Sequence, residues 1–387
     1  MSRWLQVGLL GVVAYYLQEK FTLFINMGED GVSRVNPEYE LKLVQVIYRH
    51  GARTPLKPLP HKDQVEWSPA MLEVPKHTQF DYTGGTFPGQ LTTVGMQQMF
   101  NLGLRLRKDY VEELNFLSPA FKPSEVFVRS TNFARNLEST RCLLAGLFHQ
   151  QQEGPVTIVT AEAASEILYP NYYGCEQLKQ LNSNKMSAAS SQPGMMEDLK
   201  KIQQELNIDT TKEVDFFLLL DNLLAQEVHG FPSVVKDKTL LQRIEERTID
   251  IISYITGPSS RKGLQLSIGP FLYTIQRNML EGAETQNRKL YLYAAHDVTL
   301  IPLLMVFGIF DKKWPPYASD ITVELYQHQL SKEWAARLRY NGEVKVVRGC
   351  HTGLCPLKDF LDSLSEFVLS PEDYRTLCST TDQEKDK

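Results

Sequence analysis

The sequence predicts an α/β protein: a three-layer sandwich with a mixed, mostly parallel central sheet and an inserted, mainly helical cap. Three observations carry that expectation. Short apolar runs rich in Val, Ile and Tyr alternate with longer runs whose apolar residues recur every three or four positions. The chain has 387 residues, 42% of them hydrophobic, which is more than one typical domain needs and enough for a large core. Its middle, about 165–250, is polar and helical in pattern with few strand signals.

Taken in order, the strand-like runs are LKLVQVI (41–47), EVFVRS (125–130), PVTIVT (155–160), KLYLYAA (289–295) and ITVELYQ (321–327). Helical periodicity marks 91–114 and 132–148, and a short helix is expected over 298–307, before Gly308. These place an α/β core at 38–164 and 251–379, interrupted by the cap at 165–250. The Pro-, Gly- and aromatic-rich stretch 56–90 reads as a further cap loop, and 380–387 as a disordered charged tail. Residues 1–27 stand apart. Arg3 precedes the apolar run 4–17, which is shorter than the roughly 20 residues of a membrane span and suits a targeting or anchor segment. Membrane association through that segment is therefore an open expectation.

Composition narrows the function. A net charge of −5 gives no reason to expect a nucleic-acid partner, so cations that bind an anion must be concentrated locally. Five cysteines do not make a disulfide framework in a chain of this size. Cys350 and Cys355 in RGCHTGLCP could close a small loop or remain two thiols in a turn, and Cys142, in an apolar helical run, reads as core. No Asn is followed two places later by Ser or Thr, so no N-glycosylation acceptor is present, which disfavours the secretory route.

Three motifs carry chemistry, each directly after an apolar strand, where open α/β sheets bind ligands. In Arg49-His50-Gly51-Ala52-Arg53-Thr54-Pro55, two guanidiniums able to donate forked hydrogen bonds to phosphate flank an imidazole. Neighbouring cations keep His50 neutral and nucleophilic. In Val128-Arg129-Ser130-Thr131-Asn132, Arg129 is a third phosphate donor, and Ser130, Thr131 or Asn132 is expected to cap the next helix. Arg135, one turn on, reads as a partner in structural ion pairs. In Ala294-Ala295-His296-Asp297-Val298-Thr299, Asp297 stands where a helix N-cap belongs, or else His296 and Asp297 bring an imidazole and a carboxyl group to the sheet edge. Each motif has a plain structural explanation alone: a charged turn, a capped strand-to-helix turn, a cap. Together they bring three Arg, two His and one Asp to one anion. Metal ligands are not grouped and no Cys lies in a basic loop, so neither a metal nor another cofactor is expected.

RHGARTP, VRSTN and AAHD together resemble the three motifs of the histidine acid phosphatases, branch 2 of the histidine phosphatase superfamily, and the similarity runs from about 40 to 378. The stretch 89–110 also resembles the family's Gly- and Leu-patterned helix. The family's second motif usually ends in Asp, where this chain has Asn132, and the loop at 82–85 is short for the family. The resemblance implies hydrolysis of phosphate monoesters with His50 as nucleophile, Asp297 as proton donor, and Arg49, Arg53, Arg129 and His296 holding the substrate. Within the family, VIYRHGARTPLKPLP, NLESTRCLLAGLF, EVDFFLLLDN and LYLYAAHDVTLIPLL resemble members acting on lysophosphatidic acid. That implies release of monoacylglycerol and phosphate by a monomeric mitochondrial enzyme, with a secretory or membrane-anchored location as the alternative. Aromatic residues Trp67, Phe80, Tyr82, Phe87, Tyr169, Tyr172 and Tyr173 are candidates for an acyl-chain surface, whereas the apolar run 216–220 reads as cap core. The rival functions are a broad or phytase-like phosphatase, disfavoured because 56–90 holds only Lys57, Lys62 and Lys76, and an inactive phosphate- or lipid-binding protein.

Overall fold

A computed structural model describes residues 37–60, 65, 67, 71, 88–209, 211–232, 237–257, 260–285 and 288–379. The chain divides into Met1–Tyr39 and Glu40–Lys387. Only 37–39 of the first unit are described, so the expected targeting segment at 1–27 lies outside the described residues, as do most of the loop 56–90 and the tail 380–387.

All five expected strands form: β1 (Tyr39–Arg49), β2 (Val126–Ser130), β3 (Ile158–Val159), β4 (Leu290–Ala295) and β5 (Asp320–His328). Three more come after them, β6 (Trp334–Tyr340), β7 (Glu343–Lys345) and β8 (Leu354–Pro356). The sheet order is β3-β2-β4-β1-β5-β6-β7, with β8 also on β6. The pairs β1–β4, β2–β4 and β2–β3 are parallel, and β5–β6, β6–β7 and β6–β8 are antiparallel. The parallel half is the half that carries the three motifs.

Both faces of β1 are covered, which explains its nearly unbroken apolar run. Leu43 and Ile47 join Tyr293, Ala295, Ile321 and Val323 in a core closed by α7 (Arg261–Glu284) and α8 (Asp297–Phe307). Side chains alternate along a strand. Tyr48 accordingly points to the other face, where its hydroxyl meets Thr140 Oγ1 of α2 (Ala134–Phe148) at 2.9 Å. Helix α1 (Thr93–Arg107), continued by a π-helical turn at Lys108–Glu113, packs against α2 on that face. Helices therefore sandwich the sheet.

The first α-helices after β3 are α3 (Glu176–Ser190), α4 (Met195–Glu205), α5 (Phe216–Val228) and α6 (Lys238–Thr256). They bury an apolar cluster of their own, to which Phe216, Leu219 and Leu220 of the run 216–220 belong. Near the C-terminus lie α9 (Leu357–Leu364) and α10 (Pro371–Ser379). Cys350 and Cys355 are bridged, which settles the choice left open by their spacing. A second bridge, Cys175–Cys378, ties the start of α3 to α10. Cys142 is in neither bridge and is half-buried rather than part of the core.

Candidate active site

Register brings the motifs together. Arg49 at the end of β1 is opposite Ala295, and Ser130 at the end of β2 is opposite Ala294. The residues that leave the sheet next, His50, Thr131 and His296, are therefore neighbours. The His50 and His296 rings lie 5.6 Å apart, and Thr131 Oγ1 meets His296 Nε2 at 2.9 Å. The loop after His50 is seated by glycine. A Cβ on Gly51 would fall 2.2 Å from the carbonyl oxygen of Gly95 in the first turn of α1. Thr92 caps α1 through Gly95 N–H at 3.2 Å and donates to Ala52 O at 3.1 Å, so cap and loop form one unit.

His50 is buried, and its Nδ1 lies 2.9 Å from Gly51 O. A carbonyl can only accept, so Nδ1 carries the proton and Nε2 keeps its lone pair. Burial, reinforced by Arg53, Arg135 and Arg49, holds the His50 pKa well below the ordinary imidazole value. Burial and Arg135 likewise bring His296 down to about 3. Both rings therefore resist protonation below the ordinary imidazole pKa. Asp297 is not the N-cap. His296 occupies that position and Asp297 is the first residue of α8. Its Oδ2 accepts from Arg49 Nη2 at 2.6 Å and from Trp314 Nε1 at 3.2 Å, and its Oδ1 accepts from Val298 N–H at 2.8 Å. Burial pushes this carboxyl up, but Arg49 and Arg53 outweigh it and hold it below the usual carboxylate range.

The guanidiniums are only partly satisfied. Arg49 also donates to Pro315 O at 2.6 Å and lies 4.1 Å over the Tyr317 ring. Arg53 pairs with Asp221 Oδ1 of α5 at 2.8 Å, while Asp221 Oδ2 accepts from Leu56 N–H at 2.8 Å. The Nε atoms of Arg49, Arg53 and Arg135 and the hydroxyl of Tyr317 are all buried without a hydrogen-bond partner among the described residues. Buried donors are rarely left this way, and four around one imidazole mark a place for an anion. Phe133 and Tyr169 edge onto His296 at 5.3 and 5.9 Å, giving the site an apolar rim.

The sequence profile of the histidine phosphatase superfamily (branch 2) matches residues 40–347. The chain belongs to that family. It is 52% identical to human lysophosphatidic acid phosphatase type 6 over 98% of this chain and 96% of the relative. Against the mouse protein of that name it is 49% identical over 98% of both chains. Bovine lysosomal acid phosphatase is 29% identical over 87% of this chain and 80% of its own. Among solved structures, apo Hafnia alvei phytase superposes with a TM-score of 0.62 at 14% identity, covering 87% of this chain and 98% of the other. That likeness shows the shared fold. As a member of this family the protein is a phosphoric monoester hydrolase.

In this histidine phosphatase, the strand ends bring His50, Arg49, Arg53, His296 and Asp297 together, and Arg129 has a carboxylate partner of its own. Its guanidinium pairs with Glu166 Oε1 at 2.9 Å, and that buried carboxylate also accepts from Ile167 and Leu168 N–H. Arg135, expected in structural ion pairs, forms none among the described residues. It lies 4.7 Å over the Phe133 ring, and its charge falls on both imidazoles. Burial, then Arg53, lowers Arg135 to about 10, which leaves it cationic. The expected helix cap also moves. Phe133 is the N-cap of α2 and makes no side-chain cap bond, so Thr131 is released to His296. Three contributors escaped the sequence reading: Tyr317, Trp314 and Asp221. Only Asp221 left a signal, as an acidic residue inside the apolar run FFLLLDNLLA. Trp67 packs on His229 and Phe231 at 5.0 and 5.1 Å, and Phe80, Tyr82 and Phe87 lie outside the described residues.

Proposed function

We propose that the protein hydrolyses lysophosphatidic acid to monoacylglycerol and phosphate through a phosphohistidine on His50. The observation that carries the chemistry is the ring of unpartnered buried donors around an imidazole whose Nε2 lone pair is free. Arg49, Arg53, Arg135 and His296 hold the phosphoryl oxygens in this reading, and Arg129 sets the loop beside them through Glu166. His50 Nε2 attacks phosphorus as the ester P–O bond breaks, and Asp297 gives its proton to the departing alkoxide. Water then attacks phosphorus, the N–P bond breaks, and the Asp297 carboxylate takes the proton from water. At rest the guanidiniums keep Asp297 ionised, so its proton must arrive with substrate, whose negative charge offsets theirs.

The lipid assignment is supported by the names of the relatives that match nearly the whole chain and by the apolar rim of Phe133 and Tyr169. Two disulfides favour an oxidising compartment, which a mitochondrial location must satisfy as well as a secretory one. The test compares kcat/KM for lysophosphatidic acid, a short chromogenic monoester and inositol hexakisphosphate at pH 5 with chelator. Lysophosphatidic acid is expected to lead by about tenfold, the size of effect one well-placed apolar contact gives. Faster turnover of the hexakisphosphate removes the lipid assignment. Bound phosphate with no release from any substrate favours the binding-protein alternative.

A further inference from the structure

The loop after α8 is laced to the signature loop from both sides of Tyr317. Pro315 O accepts from Arg49 Nη1 at 2.6 Å, Ala318 N–H donates to His50 O at 3.1 Å, and Ser319 O accepts from Arg49 N–H at 2.9 Å. Ala318 holds a left-handed φ of 60°, unusual for a residue with a Cβ. Tyr317 is thereby fixed with its ring 4.1 Å under the Arg49 guanidinium and 5.9 Å from the His50 ring. The stack on Arg49 and the contact with His50 need only a ring, and Phe would supply it. The hydroxyl is the unexplained part. It is buried, has no partner among the described residues, and removing water from an unbonded hydroxyl costs stability.

We infer that the Tyr317 hydroxyl is a further catalytic group, donating a hydrogen bond to a phosphoryl oxygen of the substrate lodged between Arg49, Arg53 and His50. The inference rests on the phosphoryl-transfer reading above and adds a neutral donor to its cations. Burial raises the phenol pKa, only partly opposed by Arg53 and Arg49, so the group stays O–H at every working pH. A fixed neutral donor supports charge on the equatorial oxygens without further lowering the pKa of Asp297, as a fourth nearby cation would.

The experiment is Tyr317→Phe, which keeps the ring and removes one oxygen, read by inhibition with inorganic phosphate, by kcat/KM on a chromogenic monoester and by thermal melting without ligand. The expected result is a phosphate Ki raised about tenfold and kcat/KM lowered about tenfold, with a melting temperature equal to or above wild type. An unchanged Ki overturns the inference whatever the melting temperature does. A raised Ki with a lowered melting temperature also counts against it, since a displaced Arg49 would produce both. The underlying reading fails separately: wild-type protein would then neither release phosphate nor be inhibited by it.

Discussion

Two clusters of buried charge sit in one sheet and are finished differently. Beneath the antiparallel half, Glu324 binds Arg337 Nε and accepts from Tyr110 OH at 2.6 Å, and Arg337 Nη2 donates to Tyr326 OH at 2.7 Å. Arg339 donates to Asp109 at 2.9 Å and to Gly342 O at 2.8 Å. None of these atoms is left without a partner. At the ends of the parallel strands, Arg49, Arg53 and Arg135 each keep an unpartnered Nε, with the Tyr317 hydroxyl beside them. Buried charge with complete pairing is architecture. Buried charge with donors to spare is a binding site waiting for an anion, and its incompleteness is what ligand binding relieves.

The sharpest break in that comparison is His50→Ala. It should remove the phosphoenzyme and lower kcat by about 10⁴-fold or more, while melting close to wild type. Retained labelling with phosphate on the variant would show another nucleophile. The mirror experiment is Glu324→Gln. Arg337 loses its buried counter-charge and Arg339 keeps only Asp109, so stability should fall by about 3–5 kcal/mol in denaturant titration. The kcat of the fraction that remains folded should stay near wild type. A catalytic defect without loss of stability would mean the two clusters are not separate.

A smaller effect divides two arginines that stand six positions apart. Arg135→Ala should lower kcat/KM about 10²-fold by removing a cation from the phosphoryl site, with stability little changed. Arg129→Ala should lower stability by about 2 kcal/mol, since Glu166 is left buried with only backbone donors, and should affect turnover less. If Arg129→Ala shows the larger loss in phosphate inhibition, the assignment of Arg135 to the site is reversed.

That pair also shows what a sequence can and cannot carry. The three strand ends were legible because β1, β2 and β4 are covered on both faces and read as apolar runs, and because parallel strands deliver the residues after them to one edge. The partner of Arg129 was not legible. Arg129 stands on β2 and finds its partner 37 positions later in Glu166, a pairing no local pattern encodes. Strand β6 was missed for a related reason. In WAARLRY, Arg337 and Arg339 look solvent-facing, yet both are buried in the ion cluster. The Cys175–Cys378 bridge spans 203 positions, beyond any argument from spacing. Asp297 looked like a cap because caps and first-turn carboxylates are adjacent positions. The helix begins one residue earlier than that reading requires, and this leaves the carboxylate for Arg49.

The last predicted effect is one of pH, and it separates the clusters by residue type, since the ion cluster under the antiparallel strands contains no histidine. The folded pKa of His296 is about 3 and that of His50 is well below 6.5. The unfolded chain therefore binds these protons first. Each neutral ring contributes stability that is complete above about pH 6.5 and is lost as pH falls toward the folded value, at about 1.4 kcal/mol per pH unit per group. Asp297, also depressed, adds a loss only below the ordinary carboxylate pKa, so the window from about pH 6 to 4.5 belongs to the depressed imidazoles, among them His229, which burial also lowers. Melting curves across that window for wild type and His296→Asn should converge as pH falls, because the variant has one fewer proton to refuse. Parallel curves would mean that His296 is protonated in the folded protein. Burial and the guanidiniums nearby would then not be controlling the imidazoles, and the case for a neutral nucleophile at His50 would lose its physical basis.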